Sequence, residues 1–132
     1  WCPTLISGDF LDGKEYRFPA DTRPHLVVVT AEDEYKTETT LPEFAANHLG
    51  KDFRVTILYE NPKDKYDIPG LEVLDDADLL LVSVRRRPLP PQQLDRIRKF
   101  VAAGKPVIGI RTASHAFCLR NQAPPDGLAE WK

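Results

Sequence analysis

The stretch His25-Leu-Val-Val-Val-Thr30 decides the fold. It is an unbroken run dominated by β-branched and aliphatic residues, without the polar alternation of a strand that has one wet face. Such a run marks a strand buried on both faces, as in a parallel sheet covered by helices. Working outward, Arg54-Val-Thr-Ile-Leu-Tyr59 and Ala77-Asp-Leu-Leu-Leu-Val-Ser-Val84 repeat the pattern, and Pro106–Ile110 gives a fourth strand.

The segments between the strands carry helical signals. Thr40-Leu-Pro-Glu43 has capping-box spacing, and Gly50 closes that segment as a C′ residue would. Phe44, Ala45, His48 and Leu49 would share one face of this helix. Leu71–Asp76 reads as a short helical turn. Pro90 and Pro91 suit a helix start, where a missing N–H costs little, and Leu94, Ile97, Phe100 and Val101 form an amphipathic stripe running to Gly104. A further helix is expected from near Ser114. This alternation of strand and helix predicts an α/β open sheet, mainly parallel, with helices on both faces.

The first 24 residues read differently. Asp12-Gly13 suits a type I′ hairpin turn between Leu5–Phe10 and Lys14–Phe18, and Pro19 to Pro24 reads as a linker. The expected organisation is therefore a lead-in over 1–24 and an α/β domain over 25–132.

Bulk properties bound the function. A chain of 132 residues fits one domain and buries about two-thirds of its unfolded surface. Its net charge of -2 argues against a general nucleic-acid binder. No apolar run approaches the roughly 20 residues that span a bilayer, so no membrane partner is expected. Two cysteines, Cys2 and Cys118, set no disulfide framework and read as unpaired thiols, the alternative being a Cys2–Cys118 bridge and an oxidising compartment. With no CxxC, and His25, His48 and His115 scattered along the chain, no metal site is expected and no cofactor is assigned. The chain opens on Trp1, which leaves both a cytoplasmic and an extracytoplasmic, signal-processed location open.

In open α/β sheets ligands bind beyond the carboxyl ends of the strands, near a switch in strand order. The first strand delivers Ala31-Glu-Asp-Glu-Tyr-Lys-Thr37 there, the third Ser83 and Arg85-Arg-Arg87, and the fourth Arg111-Thr-Ala-Ser-His115. Glu32, Asp33 and Glu34 would bind hydroxyls or supply a base, or simply be solvated loop acids. Three consecutive arginines cannot all face one pocket, so one is expected to serve, and Arg85 is the candidate. Arg111–His115 suits an oxyanion or anionic group at a helix start. Thr112 and Ser114 read equally well as helix N-caps, and His115 equally well as a structural histidine.

At this turn a resemblance emerges. Lys105-Pro-Val-Ile-Gly-Ile-Arg-Thr-Ala-Ser-His-Ala-Phe117 resembles the ThuA-like (trehalose-utilisation) domains of the class I glutamine amidotransferase-like superfamily. Glu32-Asp-Glu-Tyr35, Ile68-Pro-Gly-Leu71 and Ala77-Asp-Leu-Leu-Leu-Val82 also look like that family, and the likeness covers about residues 25–120. It implies a flavodoxin-like fold and a sugar or sugar-derived small-molecule ligand, with a homo-oligomer as a further expectation. Glu34 and His115 would then be acid/base groups, and Arg111, Thr112, Ser114, Tyr35, Glu32 and Arg85 ligand contacts. In glutamine amidotransferases this turn carries a nucleophilic cysteine; aligned on the strand and its glycine, that place is Arg111 here, and Cys118, expected within the following helix, lies seven residues on. ThuA-like domains generally lack that cysteine too. They also continue into a half rich in glycine, aromatic residues and histidine, which implies further residues beyond Lys132. The alternative is a non-catalytic binding or assembly module on the same fold.

Overall fold

A computed structural model describes residues 22–132 together with Phe10, Leu11, Lys14 and Glu15. Strands β1 (Phe10–Leu11) and β2 (Lys14–Glu15) pair antiparallel. Asp12 and Gly13, the rest of the expected hairpin and residues 19–21 of the expected linker lie outside the described residues.

The domain is built on four parallel strands. Strand β3 (His25–Ala31) is central, flanked by β4 (Arg54–Tyr59) and β5 (Leu79–Val84), with β6 (Val107–Gly109) beyond β5. The order is β4-β3-β5-β6. The registers pair His25 with Arg54 and Leu26 with Leu79. The chain thus moves outward from β3 in one direction, returns, and moves outward in the other.

Every residue of β3 is buried, because the two faces of the sheet carry separate apolar clusters. Val27, Val29, Leu80, Val82 and Val84 face Leu94, Ile97 and Phe100 of helix α2 (Pro91–Ala102) and Leu71 and Leu74 of a 3₁₀ turn at Leu71–Asp76. Leu26, Val28, Val55 and Ile57 face Leu41 of helix α1 (Thr37–Phe44) and Ala45 and Leu49 of the turn that continues it. Helices therefore cover both faces, as an α/β flavodoxin-like sheet requires. Each fully buried aliphatic side chain in these clusters contributes about 1.5–3 kcal/mol.

Several local expectations are corrected. Helix α1 (Thr37–Phe44) starts before Thr40 and continues as a π turn over Ala45–Leu49. Thr40 is no cap; its hydroxyl donates back to the Lys36 carbonyl at 3.4 Å. The residue before the helix is Lys36, in the left-handed region with φ 54°. Pro42 falls inside α1, where it cannot donate to the preceding turn, and the wide π turn follows directly. Gly50 is right-handed, with φ -63°, rather than a left-handed C′ residue. The expected face also splits, with Ala45 buried while Phe44 and His48 stack on each other in solvent, their rings 5.0 Å apart.

In α2, Leu94, Ile97 and Phe100 turn inward but Val101 is exposed. Gly104, at φ 78°, ends the segment with the left-handed backbone that glycine takes without strain. Strand β6 is an edge strand rather than a buried one, with Val107 42% and Ile108 46% exposed, because it has β5 on one side only. No α-helix begins at Ser114. A five-residue 3₁₀ turn over Arg111–His115 follows β6, and Cys118, buried and unpaired, lies beyond it in irregular chain.

Candidate functional site

The strand order reverses between β3 and β5, and the loops after these strands and after β6 meet at their carboxyl ends. The ledge formed there rests on a polar framework. Glu32 is buried. Its carboxylate accepts from the backbone N–H groups of Glu34 (2.6 Å), Tyr35 (2.7 Å) and Thr37 (2.9 Å) and from the Thr37 hydroxyl (2.7 Å). Burial pushes the Glu32 carboxyl up, but these donors outweigh it and hold the group below the ordinary carboxylate value. Thr37 also meets the Thr30 hydroxyl at 2.8 Å and accepts from Ser83 at 3.0 Å, which ties β3, β5 and the start of α1 together. Glu32 is thus the anion at the start of α1 and has no acceptor capacity left for a ligand; it shapes the loop that presents Glu34 and Tyr35.

Arg87 performs the same office on the other side. It is 3% exposed; Nε donates to Glu60 at 2.8 Å, Nη2 to Asp33 at 2.9 Å, and Nη1 to the Arg85 carbonyl at 2.9 Å. Burial opposes the charge, but the two carboxylates prevail and strengthen it. The loops after β3, β4 and β5 are therefore joined by one guanidinium. Sequence reasoning passed over Arg87 in favour of Arg85. The available signal was the pair Asp33 and Glu60, each placed just after a parallel strand, where a buried cation from the third strand would meet both.

Tyr35, Glu34, Arg85, Arg111, Ser114 and His115 form the upper surface. The Arg111 guanidinium lies 4.4 Å from the centroid of the Tyr35 ring. Arg85 pairs with Glu34 at 3.1 Å, both half exposed. The Ser114 hydroxyl is 3.2 Å from His115 Nδ1. Partial desolvation, with the charges of Arg86, Arg85 and Arg120, outweighs Glu34 and holds His115 below the ordinary imidazole value. At neutral pH the imidazole is neutral and can accept a proton. Thr112 turns inward instead, its hydroxyl donating to the Val84 carbonyl at 3.1 Å, so it anchors the turn to β5 and presents nothing to a ligand.

Two features set the turn's position. A Cβ at Gly109 would lie 2.8 Å from the Ala113 Cβ, so only glycine lets the turn fold this closely over β6. Arg111 itself has φ 53°, a left-handed backbone that the surrounding structure must hold in place.

Two cavities flank the ledge. One, of about 540 Å³, lies over the ends of β3 and β4 between Ala31, Asp33, Lys36, Tyr59, Glu60 and Pro62. Of the four carboxylates that line it, Asp33 and Glu60 are engaged by Arg87 and Glu32 by the start of α1, while Glu38 lies at its margin. The other, of about 360 Å³, is an apolar cleft between α2 and β6, lined by Ile97, Val101, Val107, Phe117 and Trp131, with Ser114 at its margin. Among the described residues no group of three His, Cys, Asp or Glu side chains is arranged to hold a metal ion. No helix is long and apolar enough to cross a membrane among the described residues.

No known family model, curated protein or solved structure matches the chain. What the site does must be argued from its own groups.

Proposed function

We propose that this is a ThuA-like domain that binds or processes a sugar or sugar-derived ligand at the strand-end ledge without a cysteine nucleophile. The observation that carries the reading is the turn after β6. Arg111 occupies the place where the resemblance puts the nucleophile of the superfamily, in left-handed backbone over a glycine that allows close approach. Strained turns at the carboxyl end of a strand can present a side chain to a ligand at the top of an α/β sheet. Here the presented group is a guanidinium stacked on Tyr35, which can orient and polarise a ligand but cannot attack it.

Tyr35 supplies a ring face of the kind that sugars pack on, and Glu34 and Arg85 supply an acceptor and donors for hydroxyls. His115, neutral at pH 7, serves as proton acceptor, with Glu34 across the ledge as its partner in acid/base work. Cys118 is buried beyond the turn and takes no part. Calorimetric titration of the protein with neutral, oxidised and reduced monosaccharides and disaccharides tests the reading. Saturable binding that survives iodoacetamide treatment supports it, and no binding by any sugar removes it.

The exposed edge of β6 favours a second reading, a non-catalytic assembly module. An open strand edge with apolar residues invites pairing with another chain. Sedimentation velocity showing a stable homo-oligomer, with ligand affinity unmoved by Arg111→Ala and His115→Ala, would select that reading.

A further inference from the structure

The ledge is cationic on a chain whose net charge is -2. Two of its arginines are neutralised, Arg85 by Glu34 and Arg87 by Glu60 and Asp33. Three are not. Arg111 meets only the Tyr35 ring, Arg86 reaches the Cys118 carbonyl at 3.4 Å and its sulfur at 3.7 Å, and Arg120 has no hydrogen bond or ion pair among the described residues. All three lie about the turn Arg111–His115. Arg86 and Arg120 both act on His115, whose carbonyl accepts from the Arg86 N–H at 3.2 Å, and Arg111 opens the same turn that ends at His115.

The backbone points the same way. Four described non-glycine residues have positive φ, and three of them, Lys36, Arg86 and Arg111, lie in the segments that leave β3, β5 and β6. Left-handed backbone costs a side-chain-bearing residue roughly 1–2 kcal/mol. Such strain persists where the surrounding structure over-determines it, and it clusters at ligand-binding sites. Each of these three strained positions carries a long cationic side chain at the ligand-binding edge of the sheet. A guanidinium stacked on a ring keeps its in-plane N–H fork free, which matches the two oxygens of a carboxylate.

We propose that the ligand is a sugar acid, an aldonate or uronate, whose carboxylate is taken by Arg111 with Arg86 and Arg120 while its ring or chain lies on Tyr35. This deepens the sugar reading above and rests on it. The carboxylate neutralises the uncompensated charge of the ledge, and the hydroxyls fall to Glu34, Arg85 and His115.

The test is calorimetric titration of the purified protein with glucuronate, gluconate, glucose and inorganic phosphate, at low and at high ionic strength. Glucuronate or gluconate is expected to bind at least about tenfold more tightly than glucose, with the advantage shrinking as salt rises. Arg111→Gln and, separately, the exposed Arg120→Gln are expected to reduce that advantage while leaving the melting temperature near the parent's. Glucose binding as tightly as the two acids overturns the sugar-acid inference and leaves the sugar reading standing. Phosphate binding with no sugar or sugar acid bound overturns both. A preference for the acids that both arginine variants retain overturns the assignment of the carboxylate to these residues.

Discussion

The two ends of the parallel sheet are built on opposite principles. At the amino end of β3, His25 is fully buried and every polar atom is answered within the domain. Its Nε2 meets the Thr56 hydroxyl at 2.6 Å, its Nδ1 the Asp76 carbonyl at 3.3 Å, and its backbone N–H donates to Asp78 at 2.7 Å. Arg54 on β4 holds the Arg23 carbonyl at 3.1 Å, and Lys105 reaches the Ala77 carbonyl at 2.8 Å. At the carboxyl end the inner layer is equally closed, through Glu32 and Arg87, but an outer layer of Arg86, Arg111 and Arg120 pairs with no carboxylate among the described residues, and two of its backbones are left-handed. One end closes the fold. The other spends conformational energy to hold charge outward, which is what a binding site looks like in energetic terms.

The largest effect is expected at the closed end. His25→Ala removes a fully buried ring and leaves Thr56 and the Asp76 carbonyl without their partner, so it should destabilise by about 3 kcal/mol. Chemical denaturation would read this as a lower midpoint at unchanged slope, and ligand affinity at the far edge should not move. Arg87→Ala sharpens the contrast. It strands Glu60 and Asp33 and unties three loops, so a loss of about 2 kcal/mol should come with loss of ligand binding. A variant that lost stability and kept its ligand would show that Arg87 does not shape the ledge.

Protonation separates the ends again. Burial, reinforced by Arg54, holds His25 below the ordinary imidazole value against the opposing pull of the Asp76 and Asp78 groups. Below about pH 6.5 the unfolded chain therefore binds protons that the folded protein resists, and stability falls as the pH falls. Glu32 contributes in a lower window: its stabilisation is present above the ordinary carboxyl value and is lost as pH falls through its depressed folded value. His115 shifts in the same direction as His25 but lies at the ledge, open to solvent screening. Urea midpoints measured from pH 7.5 to 5 should flatten in His25→Gln and change little in His115→Gln, whereas the pH dependence of ligand binding should respond in the opposite order.

This asymmetry also explains what could be read from the sequence. Strands β3, β4 and β5 are legible because burial on both faces leaves uninterrupted apolar runs. Likewise the strand-end position of the ledge follows from parallel topology alone. The start of α1 was not legible: Thr40 and Glu43 have the spacing of a capping box, but the cap is supplied by Glu32, upstream of the helix and bonded to Thr37. Residues 111–115 have the composition of a helix start, yet the turn closes after five residues and the chain runs on to pair Phe117 with Trp131. Among the arginines, local spacing could say that one would differ from the others; which one depended on Asp33 and Glu60, 54 and 27 residues away from Arg87. Tertiary partners, rather than neighbours in the chain, decide the roles of Glu32, Thr112 and Arg87.

A moderate effect is expected where the turn crosses β6. Gly109→Ala places a methyl 2.8 Å from the Ala113 Cβ, so close that the turn or the strand must shift. Overpacking of this kind costs about 1–3 kcal/mol and would lift Arg111 away from Tyr35. The second-site change Ala113→Gly removes the atom that the new methyl strikes. If the double variant regains ligand binding, the defect was steric. If it does not, Gly109 is needed for something other than close approach.

The smallest change in stability is expected from Arg111→Gly, and its sign is informative. Glycine accepts φ 53° without the penalty that arginine bears, roughly 1–2 kcal/mol, but it gives the unfolded chain more freedom and forfeits the contact with Tyr35. These terms nearly cancel, so the melting temperature should stay within a few degrees of the parent while ligand affinity drops. At a position chosen for folding, the replacement that relieves backbone strain would be a gain with no cost elsewhere. A variant that is no less stable, and that no longer binds, would mean that the arginine is held in an unfavourable conformation for the sake of what it touches from outside the chain.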